Sequence, residues 1–180
     1  MAQRVTAKQR QLIRDIREVQ RMFLLEPDEI LTDDERESWT PRLELALRQL
    51  VGSQIVADYT LIDEYLNNII AKLFFGPEPS FVALWRTKRF RLFHHYVLDE
   101  LSLVKKLNFA RAIAPMRASV RCNIERLNAL RNAIAHSFFP ENLRQGSPSW
   151  KGQNIFSLNG LTQYQTDIAD VTGYLLNRIF

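Results

Sequence analysis

The chain has 180 residues, 46% of them apolar and 24% charged, which suffices for one substantial core and excludes a disordered or low-complexity class. A single cysteine, Cys122, excludes an intramolecular disulfide and is expected to be an inert small residue of the core. A net charge of +4 and a pI of 9.4 are too mild to imply a polyanionic partner by themselves. No apolar run approaches the roughly 18 residues of a membrane span, and the first ten residues lack a signal-like apolar stretch. A cytoplasmic protein with no membrane partner is the expectation.

Apolar residues at Leu12, Ile13, Ile16, Val19, Phe23 and Leu24 have helical spacing and predict a first helix to about Leu25. It is basic, with Arg4, Lys8, Arg10, Arg14, Arg17 and Arg21 against Asp15 and Glu18. An acidic stretch from Glu26 to Glu37, containing Pro27, ends it. Thr40-Pro41 then signals a helix start, an N-cap followed by proline in the first helical position. From Leu43 through Leu47, Val51, Ile55, Tyr59, Ile62, Leu66 and Ile69 to Leu73 the spacing predicts one long amphipathic helix, with room for a bend at Gly52-Ser53. Gly76-Pro77-Glu78-Pro79-Ser80 stops it.

A third helical region is expected from about Phe81 to Phe109, and a fourth from Met116 to about Phe138 along the stripe Val120, Ile124, Leu127, Leu130 and Ile134. Pro115 separates them and Pro140 closes the second. Residues 141–160 collect Asn, Gly, Ser and Pro and read as a loop, with a short strand or hairpin around Asn154 to Leu158. Thr162-x-x-Gln165 reads as a capping box that opens a last helix. The expected fold is all-α: a four- or five-helix up-and-down bundle in one domain, 1–180, of which 1–38 form an N-terminal helical extension and 40–180 the bundle.

Near the end of the fourth helix stands Leu127-Asn128-Ala129-Leu130-Arg131-Asn132-Ala133-Ile134-Ala135-His136. An Arg followed five residues later by a His, with Asn directly after the Arg, a small residue before the His and aromatics after it, resembles the signature of the HEPN family of helical ribonucleases. The likeness runs from about Thr40 to the C-terminus. It implies a HEPN-type bundle and an RNA-cleaving site of Arg131, Asn132 and His136. It also implies a homodimer with that site at its interface, and the setting of a toxin or defence effector held by an antitoxin or regulatory protein. In a subgroup of the family a Tyr two residues after the His is modified with a nucleotide; here that position is Phe138, so this regulation is not expected.

The chemistry can be argued from the residues as well. RNA carries its own nucleophile, the 2′-hydroxyl, so cleavage needs no metal or other cofactor. It needs a base, an acid for the leaving 5′ oxygen, and a cation for the charge developing on phosphorus. A histidine with an ordinary pKa of about 6.5 serves as base or acid near neutrality. An arginine holds a phosphate through two parallel hydrogen bonds and stays charged. Asn132 is placed to orient the imidazole or to bind a phosphate oxygen. Arg111, Arg117 and Arg121 are weaker candidates for guiding the RNA backbone.

Helix geometry leaves one difficulty open. Asn132 and His136 stack on one face, but Arg131 lies about 140° from His136 at about 100° per residue. Its stem reaches around the helix, or the last turn is distorted, or it meets His136 of a second chain. The competing reading is a non-catalytic helical module that binds RNA or protein, with His136 capping a helix end and Arg131 paired to Glu125 or Glu141. The adjacent His94 and His95 should diverge by about 100° on a helix and share no ligand.

Overall fold

The computed structural model describes residues 6–22, 39–76, 81–137 and 148–179. Among these the chain is nearly all helix: α1 (Ala7–Met22), α2 (Trp39–Phe75), α3 (Phe81–Trp85), α4 (Lys88–Phe93), α5 (Leu103–Ile113), α6 (Ala118–Ser137) and α7 (Leu158–Ile179), with a π-helical turn at His94–Leu98. The only described sheet is a two-stranded hairpin, β1 (Ser149–Trp150) and β2 (Gln153–Asn154). None of the described helices is long and apolar enough to cross a membrane. The acidic stretch at 26–37, the Pro77–Ser80 part of the second stop, Phe138, Pro140 and the loop at 141–147 lie outside the described residues.

The chain divides into two compact units. One holds residues 1–56 and 133–164, the other 57–132 and 165–180. In the first unit, α1 buries Ile16 and Val19, and α2 buries Leu47, Val51 and Ile55, a three-or-four spacing that gives each helix one apolar stripe. Trp150 and Tyr164 are both buried there, with their rings nearly perpendicular and 5.1 Å apart. The hairpin pairs Ser149 with Asn154 and Trp150 with Gln153. Its two-residue turn has positive φ at both Lys151 (47°) and Gly152 (82°), the backbone that matches the twist of paired strands.

The short strand or hairpin expected around Asn154 to Leu158 is a hairpin that lies earlier and ends at Asn154, and the last helix begins at Leu158 rather than at the Thr162 box. The reason is a tight local network. The Asn154 carbonyl accepts from Ser157 N–H at 3.0 Å and from Ser157 Oγ at 2.6 Å, and Ser157 Oγ accepts in turn from Gly160 N–H at 3.1 Å. Ser157 is therefore the N-cap, three residues before the amide it satisfies. Gly160 is required by close approach, since a Cβ there would sit 2.1 Å from the Asn154 carbonyl oxygen.

In the second unit, the later part of α2 buries Ile62, Leu66, Ile69 and Ile70, and α5 buries Leu103, Leu107 and Ala110. On α6 the predicted stripe is buried at Val120, Ile124, Leu127 and Leu130, and α7 buries Ile168, Val171 and Leu175. α2 runs unbroken through Gly52 and Ser53 and ends at Gly76, whose N–H bonds to the Lys72 carbonyl at 3.0 Å. The single region expected over 81–109 is divided instead. Thr87 caps α4, accepting from Phe90 N–H at 3.2 Å, and Ser102 adopts an extended conformation before α5. Both are N-cap residue types ahead of apolar positions; the Thr87 bond competes with a continuous helix, while Ser102 breaks the helix by its extended backbone without a side-chain capping bond.

A buried ion pair joins α5 to α2: Lys106 Nζ lies 2.6 Å from Asp63 Oδ2, with the lysine side chain only 4% exposed. The connection between α5 and α6 is tied to α7. Tyr174 Oη donates to the Pro115 carbonyl at 3.4 Å, and the Arg178 guanidinium donates to the Ala114 and Pro115 carbonyls.

Candidate functional site

The candidate residues occupy the last two turns of α6. The buried Leu127 and Leu130 fix which way that helix turns, and Arg131 and Asn132 emerge exposed beside them. Arg131 points across to α2, where its guanidinium carbon lies 5.4 Å from the centre of the Tyr59 ring. Its Nη1 donates to Asn132 Oδ1 at 3.3 Å. The guanidinium is thus held from two sides, by a π face and by an amide oxygen, each leaving most of its donors unused.

No described carboxylate pairs with Arg131. The pairing to Glu125 does not form, because Glu125 faces Arg121 instead, with 3.8 Å between Arg121 Nε and its carboxylate. Glu141 lies outside the described residues. An exposed guanidinium with an intact charge and free forked donors is suited to an incoming phosphate or carboxylate. Asn132 spends its carbonyl oxygen on Arg131, so its role in the structure is to orient the arginine, and its amide N–H donors have no described partner.

His136 is carried by the same helix, whose α geometry continues to Ser137 without the distortion considered above. Its side chain lies outside the described residues. Arg131 reaches Tyr59 by extending its stem past the apolar stripe of α6.

The three further arginines are all engaged. Arg117 Nη2 meets Asp170 Oδ1 at 3.1 Å, and its guanidinium stacks 4.5 Å from the Tyr174 ring centre, a ring that Arg178 approaches to 4.8 Å. Arg121 faces Glu125. Arg111 donates to Asn108 Oδ1 at 3.4 Å and lines an open depression with Ala112, Pro115 and Met116. Arg126, not singled out from the sequence, donates to the buried Asn123 at 3.2 Å.

Two features were not read from the sequence. Tyr59 stands among the apolar positions of α2, and nothing in its spacing distinguishes a residue that receives a cation from one that fills a core. The second is at His94 and His95. The carbonyl of His94 accepts from Asp99 N–H at 2.9 Å, a five-residue step, and within this wider turn the Asp99 carboxylate approaches both His94 and, at the ordinary four-residue spacing, His95. His94 Nδ1 lies 3.1 Å from one carboxylate oxygen and His95 Nδ1 3.6 Å from the other. The two histidines thus approach different oxygens of one internal carboxylate. Among the described residues no group of three or more His, Cys, Asp or Glu is arranged to hold a metal ion.

No family model, no curated protein and no solved structure matches this chain.

Proposed function

We propose that the protein is a metal-independent endoribonuclease with a HEPN-type helical bundle, acting through Arg131, Asn132 and His136. A base takes the proton of the 2′-hydroxyl, and the 2′ oxygen attacks the adjacent phosphorus. The bond from phosphorus to the 5′ oxygen breaks, and that oxygen is protonated as it leaves. The products are a 2′,3′-cyclic phosphate and a 5′-hydroxyl. His136 is the proton-transfer group. Arg131 binds the scissile phosphate and opposes the charge that builds on it in the transition state. Asn132 holds Arg131 in that orientation.

The observation that carries the reading is the state of Arg131: exposed, restrained by Tyr59 and Asn132, and paired with no described carboxylate. An arginine kept for packing or for a surface ion pair would be buried or compensated. The angular separation of Arg131 from His136 on one helix is resolved if two copies meet about a twofold axis, with Arg131 of one copy facing His136 of the other. A toxin or defence effector controlled by an antitoxin or regulatory protein is the setting that the motif's resemblance favours.

The test is incubation of the purified protein with end-labelled structured RNA in excess EDTA, followed by analysis of the new ends. Cleavage to cyclic phosphates, with DNA of the same sequence left intact, is the expected result. Failure to cut any RNA while still binding it would assign the chain to a non-catalytic RNA-binding module.

A further inference from the structure

The segment from Trp85 to Tyr96 reads Trp-Arg-Thr-Lys-Arg-Phe-Arg-Leu-Phe-His-His-Tyr. Arg86, Lys88, Arg89 and Arg91 fall within six residues, and no carboxylate occurs from Ser80 to Leu98. Phe90, His94 and Leu98 are turned inward and buried. The outer face of α4 and the π-turn is left with Lys88, Arg91, Leu92, His95 and Tyr96, all exposed, and Arg86 is exposed just before it.

Among the described residues these charges are not neutralised. Arg86, Lys88 and Arg91 make no ion pair with a described carboxylate, whereas Arg117, Arg121 and Lys106 all do. Arg89 lies 5.4 Å over the Phe75 ring, a contact that leaves its charge intact. The next acid along the chain, Asp99, is taken up by His94 and His95.

Aromatic side chains are interleaved with the cations. Tyr96 is 68% exposed and rests edge-on against the His95 ring at 4.7 Å. Trp85 is 40% exposed although Phe90 and His94 brace it at 5.3 and 4.5 Å. Rings fixed by neighbours but still accessible lose little entropy when a flat partner stacks on them.

We propose that this surface binds single-stranded nucleic acid, with Arg86, Lys88 and Arg91 on successive phosphates and Tyr96 and Trp85 stacking on unpaired bases. A lipid surface fits less well. A helix that lies in a bilayer interface separates an apolar face from its cations, whereas here Phe90, His94 and Leu98 are buried and the exposed Leu92 and Tyr96 are interleaved with Lys88 and Arg91 on one face. The inference rests on the nuclease reading in that it names where a substrate strand is held, at residues distinct from Arg131 and His136.

The test uses the full chain and a fluorescent 2′-O-methyl oligonucleotide, which lacks the free 2′-hydroxyl needed for cleavage, so that binding is read alone. Anisotropy is followed at several salt concentrations. The triple variant Arg86→Glu, Lys88→Glu, Arg91→Glu should lose at least tenfold in affinity, and its log–log salt slope should flatten by about 2, as expected for three lost phosphate contacts on a single strand. Tyr96→Ala should weaken binding at least fivefold and Tyr96→Phe should not. Unchanged affinity and slope in the triple variant would overturn the inference while leaving RNA cleavage, read separately in EDTA, as it was. Patch-dependent binding by a protein that cuts no RNA would uphold it and reject the nuclease. Loss of binding to phosphatidylserine vesicles, with oligonucleotide affinity kept, would overturn it in favour of a membrane.

Discussion

Tyr59 and Asp63 stand one turn apart on α2, and each receives a cation from a neighbouring helix, yet the two contacts do opposite work. At Asp63 the cation is Lys106 of α5, almost wholly buried and neutralised at 2.6 Å. At Tyr59 it is Arg131 of α6, exposed and set over an uncharged ring at 5.4 Å. A lysine taken out of water must be paired, so the first contact is closed and structural. A ring orients a guanidinium without cancelling its charge, so the second leaves the arginine available. The comparison teaches that the partner, more than the cation, separates a structural charge from one poised for a ligand.

The largest expected effect comes from breaking the closed contact. Asp63→Ala strands a buried ammonium and should cost about 3–5 kcal/mol in urea unfolding. Adding Lys106→Met should recover most of that loss, because the pair as a whole contributes little beyond its own desolvation. If the single variant were as stable as the wild type, Lys106 would have another solvation route and the contrast with Arg131 would weaken.

A parallel contrast lies along α7, between a glycine in tight contact and one in open space. Gly160→Ala drives a Cβ against the Asn154 carbonyl and should lower stability by about 1–3 kcal/mol. Gly173 meets nothing within 4 Å, so Gly173→Ala should raise stability by about 0.5–1 kcal/mol through helix propensity. Thermal unfolding of the two variants checks the opposite signs.

The open contact should respond through activity rather than stability. Tyr59→Ala removes about 0.5–1 kcal/mol of orienting interaction and should slow RNA cleavage about two- to fivefold, while Tyr59→Phe retains the rate. Equal loss in both variants would point to the phenol oxygen rather than the ring face, and single-turnover cleavage rates separate the two.

Much of the architecture was legible in the residues. The long stripe from Leu47 to Ile69 and the α6 stripe from Val120 to Leu130 are buried where their spacing puts them, because a helix that must hide one face leaves a periodic trace. Boundaries set by single side-chain hydrogen bonds were less legible. Thr87 and Ser157 each cap a helix, but the same residue types at Thr40 and Thr162 fall inside helices, and only the surrounding contacts decide between them. The π-turn was invisible because the five-residue step that joins His94 to Asp99 is a register that regular α geometry does not contain. For the candidate site, the sequence supplied Arg131, Asn132 and His136 as a spaced motif. That Asn132 accepts from Arg131 depends on the side-chain conformations of two neighbours, and that Tyr59 receives the guanidinium depends on helix-to-helix placement; spacing along one chain encodes neither.

Arg131, which no described carboxylate compensates, is proposed to act with His136 in RNA cleavage. The most direct measurement pairs two readings on Arg131→Ala and His136→Ala: cleavage of labelled RNA in EDTA, and urea unfolding of the same preparations. The account predicts that Arg131→Ala unfolds within about 0.5 kcal/mol of the wild type, as exposed substitutions do, and that both variants lose cleavage by at least about a hundredfold. Variants that unfold early, or that fold normally and cut RNA at the wild-type rate, would contradict it.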